Sequence, residues 1–131
     1  MTTVFTAFEQ TARAHGAKPF LRVYPEKLEL SYSQAHDRAA GIAQTYARKG
    51  YRPGHRVALK LPNCADFLLH FLALNSIGVA VVPVNPDYHR AELDYVLQHS
   101  EAALVVDSAS LGAFDPPPAP KPGNASECAL L

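Results

Sequence analysis

The segment RVALKLPNCADFLLHFLALNSIGVAVVPVNP, residues 56–86, decides the fold. Residues 57–61 and 79–84 are short apolar runs of the kind that form buried strands. Between them, residues 65–77 place apolar side chains on most sides of a helix, which indicates that the helix is buried on more than one face. A crossover of this length joins parallel strands, and both faces of a parallel sheet are covered. The segment therefore predicts a strand–helix–strand unit.

Residues that end or begin regular structure mark the boundaries of this unit. Pro62 ends the first strand, because proline has no N–H for the hydrogen-bonded ladder. The side chain of Asn63 is expected to cap the helix, and Asp66 lies in the first turn, where negative charge suits the helix dipole. Gly78 supplies the left-handed residue that ends the helix.

The residues before this unit predict two helices and a hairpin. Residues 3–15 form an amphipathic helix with Val4 and Phe8 on its apolar face, and residues 20–24 and 27–32 pair as a short hairpin.

A capping box marks the start of the second helix, because Ser31 is followed three positions later by Gln34. That helix runs to about residue 49 and ends at Gly50, which places Tyr51 against Tyr46.

The residues after the unit add a helix at 90–99 and a third apolar strand at 103–106. The series from residue 57 is β-α-β-α-β, which is typical of a parallel sheet with right-handed crossovers. The predicted fold class is therefore α/β, with this unit preceded by a helix, a short hairpin and a helix.

Composition divides the chain into three parts. Residues 1–114 have the pattern of a partial amino-terminal α/β domain. Five of the eleven prolines fall within residues 116–122, so residues 115–126 are expected to form a stiff, extended and unpacked linker or loop. Residues 127–131 are again largely apolar and are expected to begin a further strand.

Charge and cysteine content limit the function classes. Twelve basic and twelve acidic residues give a formal net charge of zero, which argues against nucleic-acid binding. Cys64 and Cys128 are too few and too separated for a disulfide framework or a zinc site. The chain also lacks a secretory signal pattern and an apolar run of membrane-spanning length. A cytoplasmic protein that does not span a membrane is the expectation.

Few residues suggest chemistry by themselves. Asp66 and His70 are four apart on one predicted helix, a spacing compatible with a metal ligand pair or an acid–base pair. A local polar pair on a helix face is the favoured interpretation, because such pairs are common on helices. The six histidines are otherwise dispersed, and glycines occur singly rather than in a phosphate-binding cluster.

Five further residues lie where a ligand pocket could form. Asn63 and Asn85 follow two parallel strands, and ligands gather at the carboxyl ends of such strands. A helix cap for Asn63 and a turn before proline for Asn85 are the favoured roles. Tyr88, His89 and Tyr95 are possible pocket edges, with packing as their favoured role.

Several short motifs together resemble the amino-terminal part of the adenylate-forming enzymes, a superfamily that includes acyl- and aryl-CoA synthetases. They are Pro53-Gly54-His55-Arg56-Val57-Ala58, Leu61-Pro62-Asn63, Gly78, and Val82-Pro83-Val84-Asn85-Pro86. The resemblance covers residues 30–106. His55 departs from the aspartate usual in the family at that place, and a tolerated loop substitution is the expectation.

This resemblance implies an enzyme that couples ATP and a carboxylic acid into an acyl-adenylate and then transfers the acyl group to coenzyme A, with Mg²⁺ assisting. The family's phosphate loop follows an acidic residue and a short apolar strand similar to residues 127–131. The chain stops where that loop is expected to begin. No catalytic, cofactor-binding or metal-binding residue of the family can therefore be assigned to a position here, and the substrate-binding residues are unknown. The expectation is a fragment inactive by itself, which binds none of these cofactors tightly.

Two alternatives remain open. A non-catalytic α/β interaction or regulatory module could retain only this part of the fold. An amino-acid adenylation domain is the other, although Asn85 and Val84 resemble acyl-CoA synthetases more than peptide synthetases, which usually carry Leu-Asp there. Because later elements of the fold are expected to cover this unit, the chain is also expected to expose apolar surface or a strand edge and to self-associate.

Overall fold

The computed structural model describes residues 4–23, 28–62, 64–108, 114–119 and 129–130. In chain order the elements are α1 Val4–His15, β1 Pro19–Val23, β2 Leu28–Ser31, α2 Tyr32–Arg48, β3 Arg56–Lys60, α3 Ala65–Ser76, β4 Ala80–Pro83, α4 Arg90–Ser100, β5 Leu104–Asp107 and β6 Ala129–Leu130. β1 and β2 form an antiparallel hairpin. The other four strands form a parallel sheet with the order β4-β3-β5-β6. The predicted α/β fold, including the β-α-β-α-β unit, is confirmed.

Helices cover both faces of the central strands. On one face, Val57 of β3 packs with Tyr46 of α2 and Leu74 of α3. On the other face, Ala58 of β3 packs with Leu93 of α4. Successive residues of a strand point to opposite sides of a sheet, so β3 contributes to both cores. This arrangement confirms the predicted burial of the first apolar run, which forms β3. The second run forms β4 and is buried less than predicted, because β4 lies at one end of the described strand order: Ala80 and Pro83 are exposed, and Val81 and Val82 are half-buried.

The two ends of α2 are formed as the sequence predicts. The Gln34 N–H donates to Ser31 Oγ at 3.2 Å, and the Ser31 N–H donates to Gln34 Oε1 at 2.9 Å, which completes the capping box. At the other end, Gly50 has a φ of 92°. The ring of Tyr51 packs edge-on against Tyr46, with the ring centroids 5.6 Å apart.

Two predictions about helix starts need correction. Val4 is 55% exposed, because α1 is buried further along, at Phe8 and Ala12. The predicted cap Asn63 lies outside the described residues, and the N-cap of α3 is Cys64, whose side chain makes no capping hydrogen bond. Asp66 lies in the first turn of α3, as predicted.

Gly78 follows α3 in a conformation that a side chain would strain. Its φ is 76°, and a Cβ atom added there would lie 2.8 Å from Cγ of Pro53. Gly78→Ala should lower the free energy of unfolding by about 2 kcal/mol, because alanine meets both a disfavoured backbone and a close contact. Gly41 within α2 is a matched control, since an added Cβ there has no atom within 4 Å.

Urea unfolding measures both glycine variants. Gly41→Ala should be neutral or stabilising by up to about 1 kcal/mol, because alanine is the better helix former. Equal losses in the two variants would contradict the special role of Gly78.

Candidate functional site

The carboxyl edge of the parallel sheet is where a ligand site is expected, because ligands in open α/β sheets bind there. β3 ends at Lys60 and β5 ends at Asp107, and these two residues are Cα partners across the strands. Both are half-buried. The edge therefore brings one cation and one anion together, on neighbouring strands.

The start of α3 lies at the same edge, because it follows β3 after a short connection. Its free N–H groups favour an anion. The carboxylate of Asp66 in the first turn already supplies negative charge there. Cys64, the N-cap residue, has a free and partly exposed thiol. These features are those of an ordinary helix terminus, and by themselves they do not indicate which ligand would bind there.

Asn85 forms a turn, as the sequence predicts. Its Oδ1 accepts a hydrogen bond from the Asp87 N–H at 2.9 Å, and its carbonyl oxygen accepts one from the Tyr88 N–H at 3.1 Å. The Asn85 side chain is exposed at the surface. Its oxygen therefore stabilises the turn that leads into α4.

Two of the three aromatic candidates lie at one surface pocket, Tyr88 just before α4 and Tyr95 within it. Tyr88 and Tyr95 line a shallow surface pocket of about 440 Å³, together with Ala91, Glu92 and Val96. Tyr95 is 63% exposed, and its ring stacks on the ring of His99 with the centroids 4.1 Å apart. His89, the N-cap residue of α4, makes no side-chain capping bond and does not line this pocket. The exposure of Tyr95 thus corrects the prediction that it packs in the interior.

His70 has its hydrogen-bond partner on another helix rather than at Asp66 on its own. The ring is 2% exposed, and its Nδ1 lies 2.8 Å from the hydroxyl oxygen of Tyr46 on α2. Asp66 is exposed on the surface of α3. The sequence signal for this burial is the apolar neighbourhood of His70, which Leu69 and Phe71 flank, rather than its spacing from an acid.

Burial changes the ionisation of both members of this pair. Removal from water lowers the pKa of His70 to about 4. Burial also raises the pKa of the Tyr46 hydroxyl far above its usual value, and the nearby Tyr51 raises it further. Both side chains are therefore neutral at neutral pH, and the pair is a buried polar contact between two helices.

The proline-rich stretch is packed where the structure describes it, which corrects the prediction of an unpacked segment. Pro116 is fully buried. The Tyr51 hydroxyl donates to the Pro117 carbonyl oxygen at 3.1 Å, and the Ala119 N–H donates to the Lys49 carbonyl oxygen at 2.8 Å. These contacts fasten residues 114–119 to the end of α2. They join residues far apart in sequence, so composition alone gave no signal for them.

His55 is not an exposed loop residue. It is 2% exposed, and its Nδ1 lies 3.1 Å from both the amide nitrogen and the carbonyl oxygen of Arg52. Its ring also lies 5.6 Å from the ring of Tyr51, measured between centroids. His55 therefore takes part in the turn that leads into β3.

A second surface depression, of about 400 Å³, lies between α1 and α2. Glu9 is central to it, because its carboxylate lies 3.4 Å from the Arg13 guanidinium and 3.3 Å from His36 Nε2. His36 Nδ1 in turn lies 3.7 Å from the Asp37 carboxylate. These polar side chains contact one another, which suits packing between two helices better than binding of a ligand.

The described residues do not fit the cofactors that the family resemblance implies. Within them, no group of three or more His, Cys, Asp or Glu residues could hold a metal ion. Their glycines occur singly along the chain, so they offer no cradle of backbone N–H groups for a triphosphate.

Membrane insertion has no support from the helices that the structure describes. None of them combines the length and the apolar character needed to cross a bilayer.

Comparisons with known proteins agree with this architecture. A family model described as AMP-binding enzyme matches residues 8–125. Crotonobetaine/carnitine–CoA ligases of Shigella flexneri serotype 5b and Escherichia coli are each 37% identical over 79 residues, or 60% of this chain. The chain spans only 16% and 15% of the length of these relatives.

Solved structures show the same fold. The N-terminal domain of FACL13 from Mycobacterium tuberculosis matches 99% of this chain with a TM-score of 0.81 and 21% identity, and the chain covers 33% of that structure. The Klebsiella oxytoca NpsA N-terminal subdomain, in complex with 3-hydroxybenzoyl-AMSN, matches 100% of the chain with a TM-score of 0.80 and 18% identity. The chain covers 30% of that second structure. Since the family model matches most of its residues, the chain belongs to the AMP-binding enzyme family, the adenylate-forming enzymes that its motifs resemble.

Proposed function

We propose that this chain is the amino-terminal part of an AMP-forming acyl- or aryl-CoA synthetase. The family match over residues 8–125 is the observation that carries the proposal. The curated relatives are named as CoA ligases, which favours a CoA synthetase over an amino-acid adenylation domain. Val84-Asn85-Pro86 at the end of β4 supports the same choice.

The complete enzyme would use ATP, Mg²⁺ and coenzyme A, with a carboxylic acid as the second substrate. These assignments come from the family and concern the whole protein. The chain spans about one sixth of its curated relatives, so most residues that would contact these molecules lie outside it. The proposal therefore names the reaction class and leaves the acid open.

By itself, the chain should not catalyse adenylation. That reaction develops negative charge on the phosphoryl group and the leaving pyrophosphate, and stabilising it takes preorganised N–H donors, cations and usually Mg²⁺. At the carboxyl edge of the sheet, Lys60 of β3 and Asp107 of β5 are Cα partners, so the edge carries one cationic and one anionic residue on neighbouring strands. The described residues offer no convergent set of donors that would stabilise this charge.

ATP–pyrophosphate exchange tests this expectation directly. The purified chain should show no acid-dependent exchange above a mock preparation, with a panel of short, long and aromatic acids and amino acids. Loss of one such electrostatic donor typically lowers a rate on the order of a hundredfold, and the part of the chain that the structure describes holds no such set. Acid-dependent turnover that co-purifies with the chain would refute the expectation. The same chain extended by its downstream coding sequence should be active; a stop codon there would favour the non-catalytic module.

The proposed enzyme part divides into a partial α/β domain at residues 1–114, a proline-rich loop at 115–126, and residues 127–131, which lead toward the phosphate loop. Its proposed location is the cytoplasm, since the cysteine content is too low for a disulfide framework. The chain is also proposed to self-associate through exposed apolar surface, and sedimentation of the unmodified chain tests this.

A further inference from the structure

β4 lies at one end of the strand order in the described sheet, and β3 is its partner there. The N–H groups of Ala80 and Val84 donate to carbonyl oxygens of His55 and Leu59 on the β3 side, at 3.1 and 3.0 Å. Because backbone groups alternate in direction along a strand, the N–H of Val81 points the other way, toward the free edge.

Pro83 occupies the next outward position. Proline has no N–H, so within β4 the free edge offers one backbone donor, that of Val81. Pro83 is exposed and Val81 is half-buried, and β4 contains no charged residue that would repel another strand. Proline on an edge strand is a recognised means of preventing sheets from joining edge to edge.

We propose that the free edge of β4 is a latent pairing surface for a second copy of this chain, which Pro83 keeps inactive. The edge is self-complementary about Val81, since two antiparallel copies can exchange hydrogen bonds between the N–H and C=O groups of this residue. The formal net charge of zero gives the two copies no overall repulsion. A second copy is therefore the occupant that the pattern fits.

The pairing cannot extend beyond Val81 in the native sequence. The next outward residue, Pro83, would face Val79 of the second copy and has no proton to donate. The N–H of Val79 is also occupied, because it donates to the carbonyl oxygen of Leu74 at 3.0 Å. Two backbone hydrogen bonds do not offset the loss of translational and rotational freedom on association, so the unmodified edge stays unpaired.

Pro83→Thr tests the proposal by restoring the missing donor. Each copy gains one outward N–H, so a pair gains two hydrogen bonds, and the association constant should rise on the order of tenfold to thirtyfold. Sedimentation equilibrium over a range of concentrations measures this constant. Circular dichroism verifies that each variant is folded.

Two variants isolate the backbone effect from the side-chain effect. Ala80→Thr adds the same side chain at another exposed position of β4, where the N–H already donates to β3, and should leave association unchanged. Val81→Pro in the Pro83→Thr background removes the other outward donor without breaking a bond to β3, and should abolish the gain.

The proposal is overturned if Pro83→Thr associates no more strongly than the unmodified chain. It is also overturned if Ala80→Thr has an equal effect or if Val81→Pro does not reverse the gain. Self-association through another apolar surface would be present in all variants alike, so it would not be mistaken for pairing at β4.

Discussion

Replacing Tyr46 with alanine should lower the free energy of unfolding by about 4 kcal/mol, a typical cost of truncating a large buried aromatic side chain. The side chain is fully buried between α2, α3 and residues 114–119. Its ring centroid lies 5.6 Å from Tyr51, 5.7 Å from His70 and 4.9 Å from Phe114. Alanine would leave a cavity at the junction of all three. Because small domains are stabilised by only about 5–15 kcal/mol, this variant should be close to unfolding.

Tyr46→Phe distinguishes the contribution of the hydroxyl to stability from that of the ring. Phenylalanine keeps the ring contacts, but it leaves Nδ1 of buried His70 without its partner at 2.8 Å. We expect a loss of about 2 kcal/mol, which is the cost of leaving one buried polar atom unsatisfied. Urea unfolding measures both variants, with equal slopes required for a valid comparison. If the two losses are equal, the polar contact rather than packing accounts for the role of Tyr46.

The fold could be predicted because its determinants are local in sequence. The apolar runs of β3, β4 and β5, and the lengths between them, specify parallel strands with helical crossovers. Ser31 and Gln34 specify the start of α2 through contacts three residues apart. Each of these signals lies within one element or one connection, so the sequence alone contains it.

The contacts that sequence analysis missed join residues far apart in the chain. Tyr46 and His70 are 24 residues apart, and the spacing of His70 from Asp66 suggested a partner on its own helix instead. Tyr51 and Pro117 are 66 residues apart, and the proline content around residue 117 suggested a linker. Such pairings follow from how α2, α3 and residues 114–119 pack together, which no local pattern encodes.

Protonation of His70 should make the stability of the chain depend on pH between about 6.5 and about 4. Above pH 6.5 the ring is neutral in both the folded and the unfolded chain, so His70 does not make the free energy of unfolding depend on pH there. Below pH 6.5 the unfolded chain binds a proton that the folded chain excludes until about pH 4. The free energy of unfolding therefore falls as pH falls through this range, and the loss from His70 ends near pH 4.

The size of the effect follows from the difference between the two pKa values. A pKa lowered from 6.5 to about 4 corresponds to a loss of roughly 3 kcal/mol by pH 4. His70→Gln is the control, because glutamine can still accept a hydrogen bond from Tyr46 and does not titrate. The other five histidines are common to both chains, so the difference between their urea unfolding free energies from pH 7 to pH 4 isolates His70. If the unfolding free energies of the unmodified chain and of His70→Gln fall by the same amount over this range, His70 titrates alike in the folded and unfolded chains. Its burial would then not control its protonation.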